Sequence, residues 1–409
     1  MPFQEPRFSR RSMLASFGSL TAAALLGETA NLPCFAEPYR QKLPRTSPEE
    51  AGIAARGIID FLDEVDKKVG GLHSFMLARN GKIAAEGWWA PYRPEFVHTL
   101  YSLSKSFTST AVGLAVSEGK LTVDDPVVGF FPDKLPATKD ENLQAMRVRH
   151  LLTMNTGHDK DATGPVTAAA DGDWVKAFLA LPVEHQPGSK FVYNSAATYM
   201  CSAIVQKLVG MPVVEYLTPR LFEPLGIRDH HWESCPKGIN CGGWGLSVKT
   251  EDIARFGQLY LQHGKWHDRQ LVPASWVEQA TSKQVSNGDG GASDWAQGYG
   301  YQFWRCRHGA FRGDGAFGQY CVVMPDQNAV LAITSGLGDM QAVLNAAWEH
   351  LLPAMTSGPA TSADNPALRN RIARLEVPSV SGAAQSSAAG RISGKTIRFE
   401  TNDRKVTGG

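Results

Sequence analysis

The 409-residue chain carries almost no excess charge: 41 Lys and Arg stand against 40 Asp and Glu, a formal net charge of +1. A nucleic-acid partner calls for a basic surplus, so that class is disfavoured and a small-molecule substrate is favoured. Long apolar runs are missing as well. The best candidate, A-S-F-G-S-L-T-A-A-A-L-L from Ala15 to Leu26, falls well short of the roughly 20 residues a membrane span requires. No H-E-x-x-H is present; His263 and His267 have helical spacing but sit around G-K-W-H-D-R, a turn composition, which argues against zinc hydrolysis. No G-x-S-x-G elbow and no G-x-x-x-x-G-K-[ST] loop occur. Gly313–Gly318 fits G-x-G-x-x-G by letter but leads into a strand, so a nucleotide role fails on context. No metal and no cofactor are expected.

Cysteine is scarce, and its distribution bears on the compartment. Ser9–Leu14, S-R-R-S-M-L, precedes the short apolar run and has the form of a twin-arginine export signal, with a small-residue cleavage site after Ala36. This predicts a signal peptide over residues 1–36, handling by the twin-arginine export machinery, and a periplasmic or secreted mature protein. Cleavage there leaves Cys201, Cys235, Cys241, Cys306 and Cys321, an odd set that cannot pair fully within one chain. Cys235 and Cys241 flank P-K-G-I-N, where an oxidising compartment would permit a short disulfide, and Cys201 sits in an apolar helical pattern as a buried small hydrophobe.

The mature chain has a clear order. Ser47-Pro48-Glu49-Glu50 has an N-cap serine, a proline at the first helical position and a glutamate at the third, predicting a helix to about Lys68. H-S-F-M-L-A-R and K-I-A-A-E-G-W-W flank Asn80-Gly81 and predict a hairpin. Late in the chain Y-G-Y-Q-F-W-R, F-G-Q-Y-C-V-V-M and A-V-L-A-I-T-S predict three strands, followed by a helix from about Met340 to Leu352. Between the two strand groups, roughly Ser102 to Gln279, the pattern is mostly helical, with several segments ending in glycine. The expected fold is α+β: an antiparallel sheet built from both chain ends and flanked by helices, with an inserted all-helical subdomain at about 110–295 and a site in the cleft between them. The hydrolase domain is expected over 37–355. Residues 356–409 have a linker composition and then K-T-I-R-F-E-T-N-D, the start of a strand without partners, which either adds to the main sheet or, the favoured expectation, begins a truncated C-terminal β segment.

The stretch Y-S-L-S-K-S-F-T-S-T, Tyr101 to Thr110, carries the chemistry. A serine hydroxyl needs a base within hydrogen-bond reach to act as a nucleophile. Residues three apart share a helical face, and of the four serines Ser102 alone has a lysine, Lys105, at that offset. Ser102 also stands where strand-rich sequence gives way to a helix, so its own N–H is placed to bind an oxyanion.

With these residues the chain resembles the serine hydrolases of the penicillin-recognising fold, a group that includes class C β-lactamases, D,D-peptidases, β-lactamase-like carboxylesterases and 6-aminohexanoate-dimer hydrolases. S-L-S-K-S-F-T (Ser102 to Thr108) resembles the nucleophile motif and F-V-Y-N-S-A-A-T-Y (Phe191 to Tyr199) the second motif. R-G-D-G-A-F-G-Q-Y (Arg312 to Tyr320) is similar to the glycine-bearing edge strand beside the nucleophile. L-L-T-M-N-T-G-H and G-G-W-G-L-S-V-K-T-E-D-I-A-R-F-G extend the likeness over about 45–353. The resemblance implies Ser102, Lys105 and Tyr193 as catalytic residues, with Tyr193 a general base kept partly ionised by Lys105. It implies N–H groups of Ser102 and Ala316 as the oxyanion hole, and Asn194, Ser195, Gly313, Asp314 and Gly315 as substrate-binding positions.

Two departures shift the expected substrate. β-Lactamases of this group have Tyr-x-Asn and Lys-Thr-Gly where this chain has Tyr193-Asn194-Ser195 and Gly313-Asp314-Gly315. Asp314 would repel a substrate carboxylate, and could pair with a cationic amine or serve as a turn residue. The expected function is an exported serine hydrolase that cleaves an ester or amide through an acyl-enzyme, ahead of a true β-lactamase or D,D-peptidase. A catalytically silent binding protein on the same fold is the alternative of another class.

Overall fold

The computed structural model describes residues 42–138, 140–356, 358–378, 386, 388–396, 398 and 400. The export signal and most of the C-terminal β segment lie outside the described residues.

The first helix, α1 (Ala55–Lys68), places Ile58, Ile59, Phe61, Leu62 and Val65 at helical spacing on one buried stripe. It starts later than Ser47 implies. Ser47 to Gly52 form a separate turn, in which Ile53 N–H reaches the Pro48 carbonyl at 2.8 Å, and Gly52 at φ +71° breaks the helical path. Ile53 then bridges to Met355. The hairpin is as expected: β1 (Leu72–Arg79) and β2 (Lys82–Trp88) meet at Asn80 and Gly81, both with positive φ (52° and 75°). After the middle of the chain come β3 (Trp304–Arg305), β4 (Phe311–Gly315), β5 (Gln319–Met324) and β6 (Ala329–Ser335). The six strands form one antiparallel sheet in the order β2-β1-β6-β5-β4-β3, so the two chain ends meet at the β1–β6 pair. Of Y-G-Y-Q-F-W-R, the last two residues are strand, and Phe311–Gly315 is a strand in its own right.

Strand alternation sorts the side chains into two cores. Phe75, Leu77, Tyr320, Val322, Leu331 and Ile333 pack with α1 and with the helix Met340–Ala346 on one face. Met76, Ala78, Cys321, Val323, Val330 and Ala332 face the other way, toward α2 (Ser104–Ser117), α3 (Ser195–Val209) and α4 (Thr250–Leu261). The inserted region is not all-helical. His98–Thr99, Leu246–Val248 and His231–Trp232 form a small three-stranded sheet, and Lys265–Trp266 pairs with Arg269–Gln270 in a hairpin that holds His263 and His267 in its turns. Strands of two or three residues are too short to show an alternating pattern in sequence. The disulfide that an oxidising compartment would permit is not formed: Cys235 and Cys241 are free, buried thiols, as are Cys201, Cys306 and Cys321.

α4 lies directly on the sheet because Gly257 has no side chain. A Cβ there would stand 2.5 Å from Val330 Cγ1 and 2.9 Å from Cys321 Sγ. Alanine is the better helix former by about 1 kcal/mol, but overpacking a tight contact costs about 1–3 kcal/mol. Gly257→Ala should therefore lower the thermal unfolding midpoint; a midpoint at or above that of the wild type would contradict the close packing of α4 on β5 and β6.

Candidate active site

The site forms where the start of α2, the start of α3, the loop before Leu246 and the end of β4 converge. Ser102 sits in a short 3₁₀ turn, Tyr101–Leu103, that runs straight into α2. α2 is buried along almost its whole length, and its hydroxyl residues other than Ser102 have mostly structural partners. Leu246 N–H donates to Ser104 Oγ, Ser106 donates to the Gln302 carbonyl, Thr108 to the Gly242 carbonyl, and Thr110 meets the Tyr260 hydroxyl.

Lys105 is fully buried, and its amine has three oxygen neighbours: Ser102 Oγ at 3.0 Å, Ser195 Oγ at 2.9 Å and the Gly243 carbonyl at 2.7 Å. Burial pushes its pKa down to about 7, with Asp161 and Asp314 opposing the shift. A neutral amine has two N–H donors and one lone pair. The carbonyl can only accept, so one N–H goes to Gly243 and the other to one serine, leaving the lone pair for the hydroxyl of the other.

The loop can come so close because Gly243 lacks a side chain; a Cβ there would lie 2.7 Å from the Ser195 carbonyl oxygen. Tyr193 lies against the same group, with Lys105 Nζ 4.9 Å from its ring centroid and the Ser102 hydroxyl near enough to favour its ionised form. Trp304 of β3 stacks on the Tyr193 ring at 5.3 Å and 23°. On the other wall, β4 is pressed onto the nucleophile turn: a Cβ on Gly315 would fall 2.0 Å from the Leu100 carbonyl oxygen and 3.1 Å from Leu103 N. Ala316, the next residue, is exposed at the end of this strand.

The fold is shared with known proteins. A family model described as Beta-lactamase matches residues 63–352. This chain belongs to the Beta-lactamase family. Its relatives include the 6-aminohexanoate-dimer hydrolase of Paenarthrobacter ureafaciens, 26% identical over 65% of this chain and 73% of the relative. Two solved structures have similar folds: a penicillin-binding protein homologue from Caulobacter crescentus (TM-score 0.58, 17% identity, 76% of this chain and all of that one) and EstCE1, a hydrolase with promiscuous acyltransferase activity (TM-score 0.58, 16% identity, 72% and 98%). The chain is thus a member of a β-lactamase-fold family of serine hydrolases.

Against this family background several expected roles change. Tyr193 is not partly ionised: burial, with Asp314 adding to it, pushes its pKa well above the ordinary phenol value, and the nearby Ser102 hydroxyl opposes this only in part. Near neutral pH the site therefore holds a neutral phenol beside a lysine that can lose its proton. Asp314 is neither a free anion nor a turn residue. It lies in β4, buried, and its carboxylate takes two contacts of 2.8 Å from the guanidinium of Arg312, two residues back on the same strand face. Arg312 is itself buried, over the rings of Trp295 (4.3 Å) and Trp304 (5.6 Å). Asn194 is fully buried and caps α3, accepting from Ala196 N–H and Ala197 N–H, so its carbonyl oxygen is turned away from any substrate. The Cα–H of Gly313 faces Leu103 and Ser106, where a Cβ would come within 2.5 Å, and Gly315 serves the contact with the Ser102 turn. Ser195 is the one second-motif polar residue beside Tyr193 that reaches the reacting group, through Lys105.

Two participants escaped the motif reading. Gly243 had a faint signal in the pair Gly242-Gly243. Asp161 had none; it is an exposed carboxylate that accepts from Thr163 N–H and Oγ1 and lies within electrostatic reach of both Lys105 and Tyr193. With the protein 15N-labelled at lysine, the Nζ resonance of Lys105 should titrate near pH 7; a midpoint close to the ordinary lysine value of about 10.4 would contradict the buried, desolvated amine.

Proposed function

We propose that the protein is a serine hydrolase that cleaves an ester or amide through an acyl-enzyme on Ser102. The observation that carries this reading is the buried amine of Lys105, with a pKa of about 7, 3.0 Å from Ser102 Oγ. In acylation the neutral amine takes the Ser102 proton as Oγ attacks the carbonyl carbon. The N–H groups of Ser102 and Ala316 hold the oxyanion. As the intermediate collapses, the Tyr193 hydroxyl gives its proton to the departing oxygen or nitrogen, and the Lys105 ammonium restores it. Water then attacks the acyl-enzyme, Lys105 and Tyr193 carry its proton back to Ser102 Oγ, and the acid is released.

The charge at the site bears on the substrate. Asp314 is neutralised by Arg312, so Asp161 is the exposed negative charge near the reacting groups. A carboxylate next to the scissile bond, as in β-lactams and D-Ala-D-Ala peptides, would be repelled, and a neutral or ammonium-bearing ester or amide accepted. The name of one relative, 6-aminohexanoate-dimer hydrolase, supports this class, whereas other relatives are named putative D-alanyl-D-alanine carboxypeptidases, the alternative reading. The motif Ser9–Leu14 supports export by the twin-arginine route to the periplasm or beyond.

A fluorophosphonate should add to the wild type at one site, and p-nitrophenyl acetate hydrolysis should fall by about 10³-fold or more in Ser102→Ala. No adduct and no hydrolysis in the wild type, or equal hydrolysis in the variant, would favour a silent binding protein instead. Because neutral Lys105 is the base, kcat/KM should rise about tenfold per pH unit and level off above about pH 7. Asp161→Asn removes a charge that favours the ammonium, so the midpoint should move to lower pH. Turnover of carboxylate-bearing nitrocefin should rise relative to p-nitrophenyl acetate. An unmoved midpoint together with an unchanged ratio would remove Asp161 from both roles.

A further inference from the structure

Two aromatic residues flank the reacting groups in a backbone conformation that L side chains avoid. Tyr101, immediately before the nucleophile, has φ +46°, and Phe317, immediately after Ala316, has φ +64°. Bulky residues with positive φ are strained, and such strain persists where the surroundings enforce it. Here the enforcing contacts are visible. The Phe317 carbonyl accepts from Leu337 N–H at 3.1 Å and from Ser335 Oγ at 2.7 Å, and the same hydroxyl also lies 2.6 Å from the Gly318 carbonyl. The two rings meet edge to face, centroids 5.2 Å apart at 67°. Yet the Phe317 side chain is not buried by the fold; the residue is 51% exposed. A strained, backbone-pinned aromatic left open to water beside the nucleophile has no account in packing.

We propose that Tyr101 and Phe317 form an apolar lip that binds the acyl chain of the substrate. This rests on the serine-hydrolase reading and adds the acyl specificity to it. The direction follows from the sheet. Tyr193 stacks on Trp304 of β3, on one side of β4, whereas Phe317 is tied to Ser335 and Leu337 at the end of β6, on the other side. The leaving group must face the Tyr193 hydroxyl that protonates it. The acyl group then extends toward the lip, and an unbranched aliphatic chain of about four to eight carbons has the apolar surface to cover the two rings.

The test compares p-nitrophenyl octanoate with p-nitrophenyl acetate in the wild type, Phe317→Ala and Phe317→Leu. Each methylene held against an apolar surface is worth up to about fourfold in binding, so loss of the ring should lower the octanoate-to-acetate ratio of kcat/KM by about tenfold. Leucine should restore most of that ratio. The side chain is exposed, so neither variant should fail to fold. An equal ratio in Phe317→Ala would overturn the lip. The same question is asked without turnover by calorimetry of octan-2-one, a ketone analogue of the ester, on Ser102→Ala with and without Phe317→Ala. Weaker binding in the double variant, by about fivefold or more, supports the lip; equal or absent binding in both overturns it. A wild type that takes up no fluorophosphonate yet shows this Phe317-dependent ketone binding would refute the hydrolase reading and leave the lip standing.

Discussion

The whole site is organised around one unfavourable fact: a lysine amine has been taken out of water. Removing a charge of this kind from solvent costs several kcal/mol unless the group is neutralised or fully bonded. Lys105 meets the cost in both ways, through a lowered pKa and through contacts with Ser102, Ser195 and the Gly243 carbonyl. Each contact depends on a different part of the chain. Ser102 depends on the 3₁₀ turn and on β4 pressing against it, Ser195 on α3 and its Asn194 cap, and Gly243 on a loop that comes close because it has no Cβ. A disturbance of any of these would leave a buried amine short of a partner, so the placing of Ser102 and the stability of the fold are one problem.

A second buried charge system lies one layer behind. Arg312 and Asp314 neutralise each other, and the guanidinium packs on Trp295 and Trp304, the latter also stacking on Tyr193. Asp294, completely buried, accepts from Arg307, Gln341 and Trp348 nearby, while its carbonyl accepts from Arg312. Together they fix the Trp304 plane, and through it the Tyr193 ring. In the proposed mechanism, where the phenol offers its proton in one direction, such backing helps, since an unsupported ring would turn. These groups act through the shape they give the Trp304 plane and, for Asp314, through its field at Lys105 and Tyr193.

What was legible in the sequence was what depends on spacing along the chain. Ser102 and Lys105 share a helical face because three residues make nearly one turn; Asn80-Gly81 marks its hairpin because both residues accept positive φ; the late apolar runs name their strands. What was hidden depends on partners distant in space or on the opposite reading of the same letters. Gly313-Asp314-Gly315 is a strand as its likeness to the glycine-bearing edge strand implies, but β3 lies outside it and Arg312 occupies the carboxylate, which the letters do not show. The protonation of Tyr193 turns on burial, which no local pattern reports. Ser47 and Pro48 begin a helical turn as their types suggest, but Gly52 ends it before α1 starts. Asp161 lies in a loop and matters only because the fold brings it near Lys105.

The pairing of β1 with β6 has a consequence for how the molecule is made. Residues 72–79 find their partners in residues 329–335, and β4, which backs Ser102, comes from the same late segment. A ribosome therefore releases Ser102 and α2, with Lys105, long before the late strands that cover them exist. Long-range strand pairing is slow to form and exposes apolar surface while it is incomplete. The centre of the sheet therefore cannot close until the late strands β5 and β6 have been made.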